Sequence, residues 1–122
     1  MAPENKKELG RFKRHRRIRV HLKGTSQRPR LVVTRSLNNL AAQLIDDAGQ
    51  KTIFSLTTLD KEIKAVFPCA GNVKAADFFG QVFARRVKEK GFSQVVFDRA
   101  GFQYHGRVKH FAESLRKGGL VF

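Results

Sequence analysis

Beyond residue 30 the apolar positions of this chain recur with two different periods, and the change between them divides the sequence into elements. Leu31-Val32-Val33-Thr34-Arg35 is β-branched and apolar at consecutive positions, which predicts a strand covered on both faces and so central in its sheet. A loop of Ser and Asn leads to a second strand, Leu40-Ala41-Ala42-Gln43-Leu44-Ile45-Asp46. Asp47-Ala48-Gly49-Gln50 has the chemistry of a hairpin turn. Thr52-Ile53-Phe54-Ser55-Leu56-Thr57 then alternates, predicting a third strand with one solvated face. Two short connections in succession make these strands an antiparallel meander.

After Asp60 the period lengthens. Residues 60–71 read as a connection without assigned structure. Asn72 is placed to cap a helix running to Lys90, with Val73, Ala76, Phe79, Phe83 and Val87 as its buried stripe. Lys88 and Lys90 suit the negative end of the helix dipole, and Gly91 can terminate it. Gln94-Val95-Val96-Phe97 is a short apolar run, the mark of a strand buried on both faces. A second helix is predicted from about Gly106, where Val108, Phe111, Ala112 and Leu115 fall at i, i+3, i+4 and i+7. Gly118-Gly119 ends it, and Leu120 and Phe122 can fold back onto the core. The order β-β-β-α-β-α, with a right-handed crossover, makes the fourth strand a parallel neighbour of the first. The predicted fold is α/β, a mixed sheet of order 3-2-1-4 with strand 2 antiparallel and helices packed on it.

Residues 1–30 follow neither period. They hold eleven Lys or Arg against two Glu, whereas the other 92 residues hold fourteen bases and eight acids. Leu9 and Phe12 are helically spaced, but Ile18, Val20 and Leu22 alternate, so helix and extended chain both stay open. So dense a charge with few apolar residues is expected not to fold by itself. The chain therefore divides into a basic arm, 1–27, expected to be disordered until it meets a polyanion, and a globular body, 28–122. With eleven Phe and 41% apolar residues, that body can bury a core. No stretch reaches the ~20 apolar residues of a membrane span, and the basic start is followed by no apolar signal core. The expected compartment is the cytosol. The one cysteine, Cys69, excludes an internal disulfide and a Cys-based zinc site, and is expected to be a buried, inert thiol.

A net charge of +15 and a pI near 11.0 narrow the partner to nucleic acid or an anionic surface. The arm lacks the sustained apolar face of a membrane-surface helix, which favours nucleic acid. Arg11, Lys13, Arg14, Arg16, Arg17, Arg19 and Lys23 are candidates for neutralising phosphates, with Phe12 and His15 stacking against bases or sugars. A second segment, Asp98 to Arg107, leaves a buried strand and enters a helix, where open α/β sheets place ligands. Arg99 and Arg107 can hold phosphate there, and Tyr104 and His105 can touch sugar or base. Equally, Asp98 can pair with Arg99, and His105 can serve only as a hydrogen-bonding group near the helix start. Catalysis is poorly supported. His105 and His110 lack a third ligand, no glycine loop has phosphate-cradling spacing, and Asp98 would be a lone acid where a nuclease needs several. A small nucleic-acid-processing enzyme and a general nucleic-acid binder are the alternative readings.

In order and spacing, several motifs resemble the bacterial large-subunit ribosomal protein eighteen family, the 5S rRNA-binding one. They are the Arg-rich arm, Gly24-Thr25 with Arg28-Pro29-Arg30-Leu31, Arg35-Ser36, Ala42-Gln43 with Ile45-Asp46-Asp47, Thr58-Leu59-Asp60, Gly71-Asn72-Val73, and "VVFDRAGFQYHGRV". The resemblance covers nearly the whole chain. It implies a ribonuclease-H-like sheet without catalytic acids, and binding to 5S rRNA with attachment of that RNA to the large-subunit rRNA at the central protuberance. Neighbouring ribosomal proteins would adjoin a monomer that needs no metal, cofactor or small-molecule substrate. By position, the arm from Arg11 to Arg19 would be the RNA-ordering segment. Arg28, Arg30 and Arg35 would continue the surface, and Arg99, Tyr104, His105 and Arg107 would form or support a second patch. The chain departs from the family pattern at Leu37-Asn38-Asn39-Leu40-Ala41, which is neutral where relatives carry basic and aromatic residues. Of that loop, Asn38 and Asn39 keep the ability to hydrogen-bond RNA.

Overall fold

The computed structural model describes residues 6–21 and 23–122, with the side chains of residues 6, 7 and 18–21 left aside. Its elements are α1 (Lys6–His21), β1 (Arg30–Arg35), β2 (Leu40–Asp46), β3 (Lys51–Thr57), α2 (Lys61–Val66), α3 (Val73–Glu89), β4 (Val96–Asp98) and α4 (Arg107–Lys117). The sheet runs β3-β2-β1-β4, as the pattern of the chain predicts. β1 pairs antiparallel with β2, Arg30 opposite Ile45 through Arg35 opposite Leu40, and parallel with β4, Arg30 opposite Val96 through Val32 opposite Asp98. β2 pairs antiparallel with β3, its register shifting between Leu44 and Ile45. β1 is central, and Arg30 to Val33 are buried at four consecutive positions.

Within a largely aliphatic core, several aromatic rings pack together. Phe79 of α3 stacks on Phe111 of α4 at 5.1 Å, Phe83 meets Phe111 edge-on at 5.9 Å, and Phe54 of β3 reaches Phe83 at 5.4 Å. Burying each such ring stabilises the fold by about 1.5–3 kcal/mol before aromatic geometry adds its share. α3 and α4 approach closely because small residues face each other. A methyl group on Gly80 would lie 2.6 Å from the Ser114 Cβ, and one on Gly118 would lie 2.6 Å from the Ala84 Cβ. All four of Val108, Phe111, Ala112 and Leu115 are fully buried. Asn72 caps α3, its Oδ1 accepting from the Ala75 N–H at 2.8 Å, and Gly91 follows with φ +92°. Leu120 is buried, and Phe122 stacks on Phe97 at 5.2 Å.

Four expectations are corrected. Val73 is 39% exposed because it is the first residue after the cap, and Ala75 is buried beside the expected Ala76. Cys69 is exposed, since the Phe67-Pro68-Cys69 turn runs along the surface and Ala70 supplies the buried side chain. Val96 and Phe97 are only half-buried, because β4 is an edge strand with β1 as its one neighbour in the sheet. The connection 60–71 contains α2, capped by Asp60 and fastened to α3 by Arg86. A helix of six residues is too short to announce itself by period or to stand alone.

Within the arm, which the sequence left open between helix and extended chain, residues 6–21 form α1. Among the described residues no helix is long and apolar enough to cross a membrane.

Candidate nucleic-acid interface

The arm enters the body through a polar joint. Gly24 is pressed against the backbone of Arg30 and Ile45 so tightly that any side chain there would collide with the Arg30 nitrogen. Its N–H donates to Asp47 Oδ2 at 2.7 Å, and the Asp47 N–H donates back to the Gly24 carbonyl at 3.2 Å. Arg30 is buried and bridges two acids. Its Nε and Nη2 donate to Asp47 at 3.0 and 3.1 Å, and its Nη1 donates to Asp98 Oδ2 at 2.8 Å. Burial alone would push the guanidinium down, but the hydrogen bonds to Asp47 and Asp98 hold it above its ordinary value. Arg30 thus faces carboxylates inside the molecule and not solvent, and its part here is to hold the joint.

Asp98 is fully buried at the end of β4 and spends its oxygens on three donors. Oδ1 accepts from the Ala100 N–H at 2.9 Å, while Oδ2 takes Arg30 and, at 2.9 Å, His15 Nε2 from α1. A carboxylate only accepts, so the His15 Nε2 carries the proton of this bond. The acid that stood alone in the sequence is therefore a structural anchor, paired with Arg30 and His15 and not with Arg99. The loop that follows is sharply folded, Ala100 at φ +55° and Gly101 at φ +80°. This brings the loop directly under α1. Arg14 Nε donates to the Gly101 carbonyl at 3.2 Å, and the Arg11 guanidinium lies 4.5 Å over the Phe102 ring.

The same ring carries a second cation, Arg35 from the end of β1, at 5.2 Å. Beside it Arg107, at the start of α4, donates to the Ser36 carbonyl at 2.7 Å and the Asn39 carbonyl at 3.5 Å. Burial, and then the positive charge of Arg35, push the Arg107 guanidinium below its ordinary value. Neither Arg35 nor Arg107 forms an ion pair with an acid among the described residues. Like charges gathered this way favour an anion.

The remaining predicted residues divide cleanly. Phe12, Lys13, Arg14, Arg16 and Arg17 are exposed on α1, with Arg16 set 5.8 Å over the Phe12 ring. Lys23, Asn38, Tyr104 and His105 are exposed on the loops. Arg28 is exposed, its Nε reaching the Val95 carbonyl at 3.4 Å. Arg99 is turned back onto the Phe102 carbonyl at 2.8 Å. The side chain of Arg19 lies outside the described residues. Three contributors escaped the sequence reading: Phe102 as the platform for two guanidiniums, Gly101 as the floor under α1, and Asp47 as the clasp on Gly24. A glycine next to an aromatic in a basic loop was the available signal for the first two. Asp47 carried none, because turn acids are common for local reasons.

Guanidiniums from β1 and α4 thus gather at one end of the sheet beside an aromatic ring, flanked by the exposed cations of α1, an arrangement that suits an anionic partner. The comparisons with known proteins agree. The family model for ribosomal L18 of archaea, bacteria, mitochondria and chloroplasts matches residues 5–122. Large ribosomal subunit protein uL18 of Clostridioides difficile (strain 630) is 44% identical over 122 residues, covering 100% of both chains. The protein of that name from Agathobacter rectalis is 53% identical over 112 residues, 92% of each chain. That of Solibacter usitatus is 51% identical over 117 residues, 96% of this chain and 95% of its own. The chain belongs to the ribosomal L18 family, and it is a structural component of the large ribosomal subunit, not an enzyme.

Proposed function

We propose that this protein binds 5S rRNA and helps attach it to the large-subunit rRNA at the central protuberance of the cytoplasmic ribosome, as a monomer beside other ribosomal proteins. The observation that carries this reading is the gathering of cations about one ring: Arg11 and Arg35 lie over Phe102, and Arg107 stands close enough to Arg35 to feel its charge. Three separate stretches of chain supply cations to one end of the sheet, and phosphate oxygens are the ligands such a cluster prefers. Lys13, Arg16 and Arg17 extend the positive surface along α1, and Tyr104 and His105 offer stacking and hydrogen bonds at its margin.

A-form RNA hides its major-groove edges, so recognition by this surface rests on backbone and shape. Residues 1–27 act as the RNA-binding arm and 28–122 as the rRNA-binding body. In the free protein the arm passes between an undocked chain and the docked helix, and RNA draws it to the latter.

Binding of a 5S rRNA transcript by the full chain, and by a version lacking residues 1–24, tests the reading, with footprints recorded for both. Loss of the arm is expected to weaken binding by orders of magnitude at moderate salt and to remove part of the footprint. Arg14→Ala, Arg16→Ala and Arg17→Ala together are expected to weaken binding with little change in body stability. Equal affinity without the arm, or equal competition by an unrelated duplex, would overturn the 5S-specific reading.

A further inference from the structure

His15 lies in the middle of the most basic stretch of the chain, where an imidazole invites the role of an RNA contact. Its surroundings say otherwise. The ring is directed at the buried Asp98, which sits on β4 and is already held by Arg30 from β1. His15 is half-buried, while its neighbours Lys13, Arg16 and Arg17 are exposed.

Helical geometry accounts for the split. Residues 11, 14 and 15 lie at i, i+3 and i+4 and share one face, and residues 13, 16 and 17 repeat that spacing on the opposite face. The first set makes the contacts with the body: Arg11 on Phe102, Arg14 on the Gly101 carbonyl, His15 on Asp98. Gly101 is essential to the seat, because a side chain there would collide with the Arg11 carbonyl and come within 3.1 Å of the His15 backbone nitrogen. An isolated helix of this length with closely spaced like charges is unstable in water. Something outside the helix has to hold it, and of the three body contacts only His15 reaches a buried charge.

We infer that His15 is a positioning residue: through Asp98 it seats α1 on the body, so that Lys13, Arg16 and Arg17 are presented together to the phosphate backbone. The inference rests on the RNA-binding reading above for its consequence, but not for the seating itself. Asp98, the buried acid at the end of β4, acts as the socket for the arm.

Two measurements on the full chain test it, comparing the parent with His15→Ala, His15→Gln and Arg16→Ala. The first is limited trypsin digestion of the free protein. His15→Ala is expected to speed cleavage within α1 about tenfold, the size of one charge-assisted hydrogen bond. His15→Gln, whose amide can still donate to Asp98, should restore most of the protection. The second is affinity for a 5S rRNA transcript across a salt series. His15→Ala should lower affinity at every salt concentration while leaving the log–log slope unchanged. Arg16→Ala should reduce that slope by about 0.9, one phosphate contact. Unchanged cleavage in His15→Ala, or a slope lowered as much as in Arg16→Ala, would overturn the positioning role. A parent protein that fails to bind the transcript would sink the 5S reading alone, since the digestion does not involve RNA.

Discussion

α1 and α4 are both helices laid against the same body, and they are held by opposite means. α4 has 11 residues and buries Val108, Phe111, Ala112 and Leu115 completely. α1 has 16 residues, and none of its described side chains is fully buried; Leu9 and Phe12 remain 40% and 42% exposed. Its attachment is an imidazole on a carboxylate, a guanidinium on a carbonyl and another on a ring. Apolar burial is non-directional and is not weakened by ionic screening, which suits an element whose task is to complete a core. Polar seating is weaker, but it sets the rotation of the helix and leaves the other face free to carry charge. In α1 this seating leaves Lys13, Arg16 and Arg17 exposed on the opposite face.

The largest effect belongs to the burial side. Phe111→Ala removes a ring that touches Phe79, Phe83 and Phe97, and is expected to cost about 3–5 kcal/mol in denaturant unfolding. Trypsin cleavage within α1, normalised to the folded fraction, should stay unchanged.

Asp98→Asn strikes both attachments together. It leaves Arg30 less than fully compensated and takes the anion from His15, so a loss of roughly 1–3 kcal/mol is expected alongside faster arm cleavage. If only the body is weakened, α1 does not depend on this acid.

Gly101→Ala should separate the two helices most sharply. A left-handed backbone at φ +80° makes alanine cost roughly 1 kcal/mol, while the added methyl blocks the seat of α1. Amide exchange should rise throughout α1 and stay unchanged in α4.

The smallest effect concerns the body's own polar fastening, the clamp of α2 on α3. The hydrogen bond from Arg86 holds the Asp60 carboxyl below its ordinary 3.8, and those from Arg85 and then Arg86 hold Glu62 below 4.5. Both acids bind protons more weakly folded than unfolded. Their contribution is therefore present above those ordinary values and is lost as pH falls through the lower folded ones. Because the groups are partly open to solvent, the change should be slight. In an acid titration followed by NMR, Arg86→Gln should move the Asp60 and Glu62 midpoints upward and leave α1 unaffected.

The amino-acid sequence was enough for the main elements of the body, though not for the short α2. Strand order, the stripe of α4, the Asn72 cap and the concentration of cations before residue 30 all follow from local period, capping chemistry and composition, which act between residues a few positions apart. Cys69 and Val73 were misjudged because a single apolar residue at a turn or helix entrance carries no period. What only the tertiary structure decided is the division of labour among the basic residues. Arg30 turns inward to Asp98 across 68 positions, His15 reaches the same acid across 83, and Arg11 shares Phe102 with Arg35. A charge looks the same in a sequence whether it will face a carboxylate or water. Only the crossover that brings β4 beside β1, and the loop that then passes beneath the arm, assigns each one its partner.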